Sequence, residues 1–225
     1  MRRAIIRSSP IIGVVAMLFA AAAHTQDTAK TLALVPTSGP LKGKSIYAKS
    51  HALLVGVNRY PGMPGKDLQF ALNDVLDMAD ILVKSYGFRP ENVRILTDAQ
   101  ATLAGIKGAL VELADSRRVG PEDRALVYFS GHGQTVKLGA GGEMGFLIPH
   151  DAKVDLNDFQ NAAPYLASCL PMSQLWDYLG PSAAKHILVI ADSCYSGLLA
   201  QSRGRERISE DTLEGSKISG DPGRR

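Results

Sequence analysis

"RALVYFSGHG" runs from Arg124 to Gly133. Its first seven residues are a short apolar run rich in strand formers. It then breaks into a histidine held between two glycines. "HILVIADSCYSG", from His186 to Gly197, is built the same way: a buried-type apolar strand that gives out into small and polar residues around Cys194. "HALLVGVN" (His51 to Asn58) and "NVRIL" (Asn92 to Leu96) are two more runs of this kind. The spacing predicts helices between them. Leu68, Leu72, Val75, Ala79 and Leu82 recur at helical intervals, with Gly87 as the stop. Thr102 stands where it can cap "LAGIKGALVELAD". "MGFLIP" reads as a short strand or hairpin arm, and "SQLWDYLG" as a helix entered after Pro171.

Apolar strands alternating with amphipathic helices imply an α/β fold, a mainly parallel sheet with helices on both faces. Ligands in such sheets bind beyond the carboxyl ends of the strands. Both His132 and Cys194 follow a predicted strand end. They lie 62 residues apart in sequence, yet can share one rim.

The chain has 225 residues, enough for one domain with a substantial core plus appendages. Hydrophobic residues make up 45% and charged residues 21%, so the bulk is globular rather than disordered. The N-terminus is a separate matter. "MRRAIIRSS" is basic, "PIIGVVAMLFAAAA" is short and apolar, and small residues follow. This is the pattern of a secretory signal peptide, with a cut expected after Ala23. The apolar core is shorter than the roughly 20 residues of a membrane-spanning helix; an uncleaved anchor is the alternative.

Residues 1–23 hold Arg2, Arg3 and Arg7 and no acid. Without them the formal charge of +3 becomes zero, 22 bases against 22 acids. Nothing then calls for nucleic acid or an anionic membrane as partner. The expected organisation is a signal peptide over 1–23, a linker over 24–45, a catalytic domain over 46–200, and a charged, disordered tail over 201–225. The expected location is periplasmic or extracellular. In such a compartment Cys169 and Cys194 could pair. No compact Cys/His cluster suggests zinc.

A thiol attacks carbonyls as thiolate, and a neighbouring imidazole can take its proton and later protonate the departing amine. The glycines beside His132 permit close substrate approach, and Gly133 and Cys194 N–H groups can face a developing oxyanion. Residue types alone leave Cys194 open as packing residue, disulfide half or nucleophile.

"YFSGHG" and "DSCYSG" resemble the histidine and cysteine motifs of the caspase-like cysteine peptidases, particularly the metacaspase branch. "HALLVGVNRY", "ALNDV", "LTD" and "FLIPHDA" agree with neighbouring segments of that family, and the resemblance covers roughly residues 45–199. It implies a caspase-like α/β/α sandwich with Cys194 as nucleophile, His132 as acid and base, and Gly133 and Cys194 N–H as the oxyanion hole. It also implies a substrate pocket from Asp74, Ser130 and Asp192 that selects Arg or Lys before the cut. Asp192 stands where the caspase signature Q-A-C-[RQG]-G has glutamine, which points away from animal caspases. Such folds continue past the nucleophile with small-subunit strands. Here about 30 residues follow, so the expected fold lacks those strands: the chain is truncated, or the domain is minimal, or a separate small-subunit-like segment is a partner beside the protein or peptide substrate.

The Cys/His chemistry needs no cofactor. Some metacaspases need calcium, but Asp151, Asp155 and Asp158 read as a solvated loop rather than an assignable ligand set. The remaining histidines, His24, His51, His150 and His186, read as structural or solvated, and Cys169 as non-catalytic. Two rival functions stand beside an endopeptidase: a non-catalytic caspase-like binding module, and a redox protein using both cysteines. The redox reading lacks a C-x-x-C spacing and leaves "SGHG" unexplained.

Overall fold

The computed structural model describes residues 45–193. Four strands form a parallel sheet. They are β1 (Ser50–Gly56), β2 (Val93–Thr97), β3 (Arg124–Ser130) and β7 (His186–Asp192), in the order β2-β1-β3-β7. β1 and β3 are paired on both sides and buried along almost their whole length, which is why they carry unbroken apolar sequence.

Alternate residues of these strands feed two cores. Ala52, Leu54, Leu126 and Tyr128 face helix α1 (Ala71–Tyr86), which contributes Val75 and Leu82. Leu53, Val55, Val127 and Phe129 face helix α2 (Leu103–Ala114), which contributes Ile106, Ala109, Leu110 and Leu113. The result is the expected sandwich, with helices on both faces of a parallel sheet. α1 sits so close to the end of β1 that a Cβ on Gly56 would lie 2.8 Å from the Ala71 carbonyl oxygen.

The predicted helix ends are present. Gly87 takes a left-handed φ of 72°, and Phe88 N–H reaches back to the Leu82 carbonyl. Thr102 Oγ1 accepts from Gly105 N–H at 3.0 Å, and Asp151 Oδ1 accepts from Leu103 N–H at 2.8 Å. Two side chains thus satisfy the start of α2.

A second, antiparallel sheet lies beyond the β3 carboxyl end. It comprises β4 (Gly133–Lys137), β5 (Glu143–Leu147) and the two-residue β6 (Leu170–Pro171). β5 is the predicted hairpin arm; its partner β4 was not foreseen. Helix α3 (Ala163–Ser168) was not foreseen either, and Cys169 follows it directly rather than lying in an open loop. Helix α4 (Gln174–Leu179) is the one expected after Pro171.

One expectation needs correcting. β7 reads as a fully buried strand, but it pairs on one side only and is partly exposed, with Leu188 54% exposed. Burial depends on what lies beyond the strand, and among the described residues no strand pairs with its outer edge.

Candidate active site

His132 stands two residues past the end of β3, at the junction with β4. Three contacts hold it. Its Nε2 lies 2.7 Å from the Lys66 carbonyl oxygen. A carbonyl only accepts, so Nε2 carries a hydrogen and the neutral ring leaves Nδ1 as its basic nitrogen. Its backbone N–H donates to Tyr60 Oη at 2.8 Å. The two rings pack with centroids 4.8 Å apart. Tyr60 is fully buried, and burial above all raises its phenol beyond the ordinary range, so it stays protonated.

Both clamps come from the loop between β1 and α1. Its base is tied to the end of β2, where Asp98 Oδ1 accepts from Asn58 N–H at 2.8 Å and Arg59 N–H at 2.9 Å. Asp98 sits at φ 40°, a left-handed conformation uncommon outside glycine, though less so for Asp. Asp67 Oδ1 accepts from Tyr60 N–H at 2.9 Å, while its Oδ2 pairs with Arg59 at 2.7 Å. The Tyr60 N–H bond first, and then Arg59, hold the Asp67 carboxyl below its usual value.

The next residue gains its freedom from strand geometry. Ile148 N–H donates to the His132 carbonyl, and Leu138 N–H to that of Gly142. Even-numbered positions of the β4–β5 ladder are therefore the bonded pairs. Odd-numbered N–H groups point away from β5. Lys137 N–H does so and donates to the Phe159 carbonyl, and by the same alternation Gly133 N–H points away from β5.

Across the rim, Ser130 Oγ donates to Asp74 Oδ2 at 3.0 Å. Ser130 and Asp192 are register partners on neighbouring strands. The residues predicted as a substrate pocket, Asp74, Ser130 and Asp192, thus come to one corner, on the α1 face. Tyr128 lies beneath them. Burial first, and then the charge of Asp192, raise its phenol. Sequence reasoning missed Tyr60, Tyr128 and the Lys66 carbonyl. A backbone carbonyl leaves no mark in sequence, and buried tyrosines resemble any core aromatic.

Cys194 lies outside the described residues. The register still constrains the chain leading to it: Ser130 pairs with Asp192, and His132 and Cys194 each follow two residues later. Cys169 is buried, and burial pushes its thiol up to about 12. At neutral pH such a thiol carries almost no thiolate.

The other candidates have structural contacts. His51 Nε2 meets Asp123 Oδ2 at 3.2 Å inside the protein. His150 Nδ1 bonds the Arg59 carbonyl at 2.7 Å, and His186 Nδ1 contacts Tyr47 Oη at 3.1 Å. In the acidic loop, Asp155 and Asp158 accept from backbone N–H groups two residues on, while Asp151 caps α2. Among the described residues no group of three or more His, Cys, Asp or Glu could hold a metal ion, and no helix is long and apolar enough to cross a membrane.

Comparison with known proteins shows the family. The caspase-domain family model (peptidase C14) matches residues 49–220. Metacaspase-4 of Arabidopsis thaliana is 32% identical over 171 residues, covering 72% of this chain and 36% of its own. Metacaspase-6 of the same plant is 31% identical over 181 residues, covering 76% and 44%. Metacaspase-1B of Aspergillus fumigatus is 33% identical over 159 residues, covering 66% and 36%. The chain therefore spans less than half the length of these relatives. A solved structure from Geobacter sulfurreducens covers 77% of this chain and 67% of its own, with a TM-score of 0.48 and 22% identity. With the family model matched over most of its length, and its histidine motif at the rim of a parallel sheet, the chain belongs to the caspase-domain family of peptidases.

Proposed function

We propose that this chain is the catalytic segment of a cysteine endopeptidase that cuts peptide bonds after Arg or Lys. Cys194 is the nucleophile and His132 the acid and base. The observation that carries this reading is the shared register of Ser130 and Asp192, each two residues short of one member of the dyad.

The chemistry follows from the imidazole's fixed orientation. His132 Nδ1 takes the proton from Cys194 Sγ while Nε2–H stays on the Lys66 carbonyl. The thiolate attacks the scissile carbonyl carbon, and the carbonyl oxygen becomes an oxyanion facing Gly133 and Cys194 N–H. As the tetrahedral intermediate collapses, the C–N bond breaks and Nδ1–H protonates the leaving amine. Water, deprotonated by Nδ1, then hydrolyses the thioester and restores the thiol.

Specificity follows from Asp74 and Asp192. Two carboxylates beside Ser130 attract a guanidinium or ammonium side chain and disfavour an acidic one. The outer edge of β7, with which no strand pairs among the described residues, carries no charge from Ile187 to Ala191. An edge left to solvent usually does, so we read it as the place where a small-subunit-like segment adds strands. The basic, apolar and small-residue segments before His24 support export, with no cofactor needed for the dyad itself.

Hydrolysis of short peptides that differ only in the residue before the cut tests the reading. Turnover of Arg and Lys peptides, lost in Cys194→Ala, is expected. A folded protein that binds such peptides without cutting them would instead be a non-catalytic caspase-like module.

A further inference from the structure

The loop from Val57 to Phe70 holds both ends of the group on which the dyad depends, and Tyr60 is its centre. Tyr60 Oη accepts the His132 backbone N–H, and the Tyr60 ring packs against the imidazole. Six residues on, the Lys66 carbonyl accepts Nε2–H. The loop between them is folded tightly on itself: Met63 N–H donates to the Tyr60 carbonyl and Lys66 N–H to that of Met63. Any shift of Tyr60 therefore shifts the carbonyl that fixes the His132 tautomer.

The neighbouring sequence is fitted to the hydroxyl. A Cβ on Gly131 would stand 2.8 Å from Tyr60 Oη, so only glycine there lets the phenol reach the His132 amide. Had that amide stayed unpaired it would be an orphaned donor, and the Gly131–His132 peptide could tilt to seek a partner. With His132 N–H occupied and Gly133 N–H turned outward, the junction offers one outward donor rather than two competing ones.

We propose that Tyr60 is a positioning residue for His132: its hydroxyl fixes the peptide and ring so that Nε2–H stays on the Lys66 carbonyl and Nδ1 is kept as the basic nitrogen. This rests on the peptidase reading above. The carbonyl bonds a charged imidazole more strongly than a neutral one, which favours the imidazolium–thiolate pair. Loosening the clamp should make the Cys194 thiolate harder to form.

Tyr60→Phe tests this, since it keeps the ring and removes only the hydroxyl. The readout is the rate of Cys194 alkylation by iodoacetamide against pH, with kcat and KM on an Arg peptide. The alkylation midpoint should rise by about one pH unit. Turnover should fall about tenfold with KM little changed, as for an interaction that matters mainly in the transition state. Gly131→Ala, which pushes the hydroxyl away, should move the midpoint the same way and serves if Tyr60→Phe does not fold. A folded variant with lower melting temperature but unchanged midpoint and kcat overturns the proposal and makes Tyr60 a packing residue. A wild type with neither a fast-reacting thiol nor peptide cleavage overturns the peptidase reading and this proposal with it. A reactive wild type with an unaltered variant overturns the Tyr60 assignment alone.

Discussion

Ser130 donates its hydroxyl hydrogen to Asp74, joining the last residue of β3 to the first turn of α1 across 3.0 Å. The bond leaves Asp74 with a second oxygen free for a cation. Asp74→Asn keeps the shape and the Ser130 contact but removes the charge. It should lower kcat/KM for Arg and Lys peptides by about tenfold or more, the scale of one charge-assisted hydrogen bond. Asp192→Asn should act in the same direction. Preference for Asp over Arg peptides in the wild type would sink the specificity argument.

The two thiols should behave differently. Cys194→Ala is expected to abolish hydrolysis, and His132→Ala to reduce it by about a hundredfold or more. Cys169→Ser should leave turnover close to wild type, because that thiol is buried and held protonated. Titration of native protein with iodoacetamide should find one fast thiol at neutral pH. Loss of activity in Cys169→Ser would contradict the assignment, and a Cys169–Cys194 disulfide in native protein would favour redox chemistry.

Much of the scaffold was legible because its signals are local. β1 and β3 are paired on both sides, so both faces are apolar and the runs stand out. Thr102 and Gly87 mark helix ends through their own chemistry. β4 was not legible: "GQTVK" has a buried glutamine and a leading glycine, and becomes a strand because β5 lies beside it. α3 is only six residues long, too short for a period to show. β7 carries an apolar run of the same kind as β3, and what separates them is that, among the described residues, no strand pairs with the outer edge of β7. At the site, the histidine motif and acids were legible as letters. The clamp on His132 was not, since half of it is a main-chain carbonyl and half a tyrosine indistinguishable from core packing.

Stability should depend on pH at the opposite end of the sheet. Asp123 is buried. Desolvation alone would raise its carboxyl, but the Gly120 N–H, His51 and the Lys49 N–H outweigh that and hold it below the ordinary 3.8. A carboxyl depressed in the folded state stabilises the fold at pH values above its unfolded value. That contribution is lost as pH falls through the lower folded value. Melting temperature should therefore fall as pH drops below about 4. Asp123→Ala should cost about 2–3 kcal/mol at neutral pH, from the loss of several buried hydrogen bonds. It should also flatten this acid limb. An equally steep limb in the variant would assign acid sensitivity to other carboxylates.

Export predicts a new N-terminus. Mass spectrometry of secreted or periplasmic protein should find the chain starting near His24. Intact Met1 in a membrane fraction would support an anchor instead.

A preference for basic residues would make the chain a candidate substrate for itself. Arg203, Arg205, Arg207 and Lys217 lie in "QSRGRERISEDTLEGSKISG", a polar, glycine-containing stretch that follows Cys194 closely in sequence. These residues lie outside the described structure. A polar segment with few apolar side chains gains little from burial and can be bound in extended form by a cleft lined with acids. Cleavage there would separate the catalytic segment from whatever follows it. Wild-type and Cys194→Ala protein incubated side by side, then mass-analysed, should differ by cuts after these residues in the wild type alone. Asp74→Asn should slow those cuts in proportion to its loss of activity on Arg peptides, because one pocket serves both. Identical tails in wild type and Cys194→Ala, with the wild type active on peptides, would show that the segment is not processed by its own active site and serves as a charged tail.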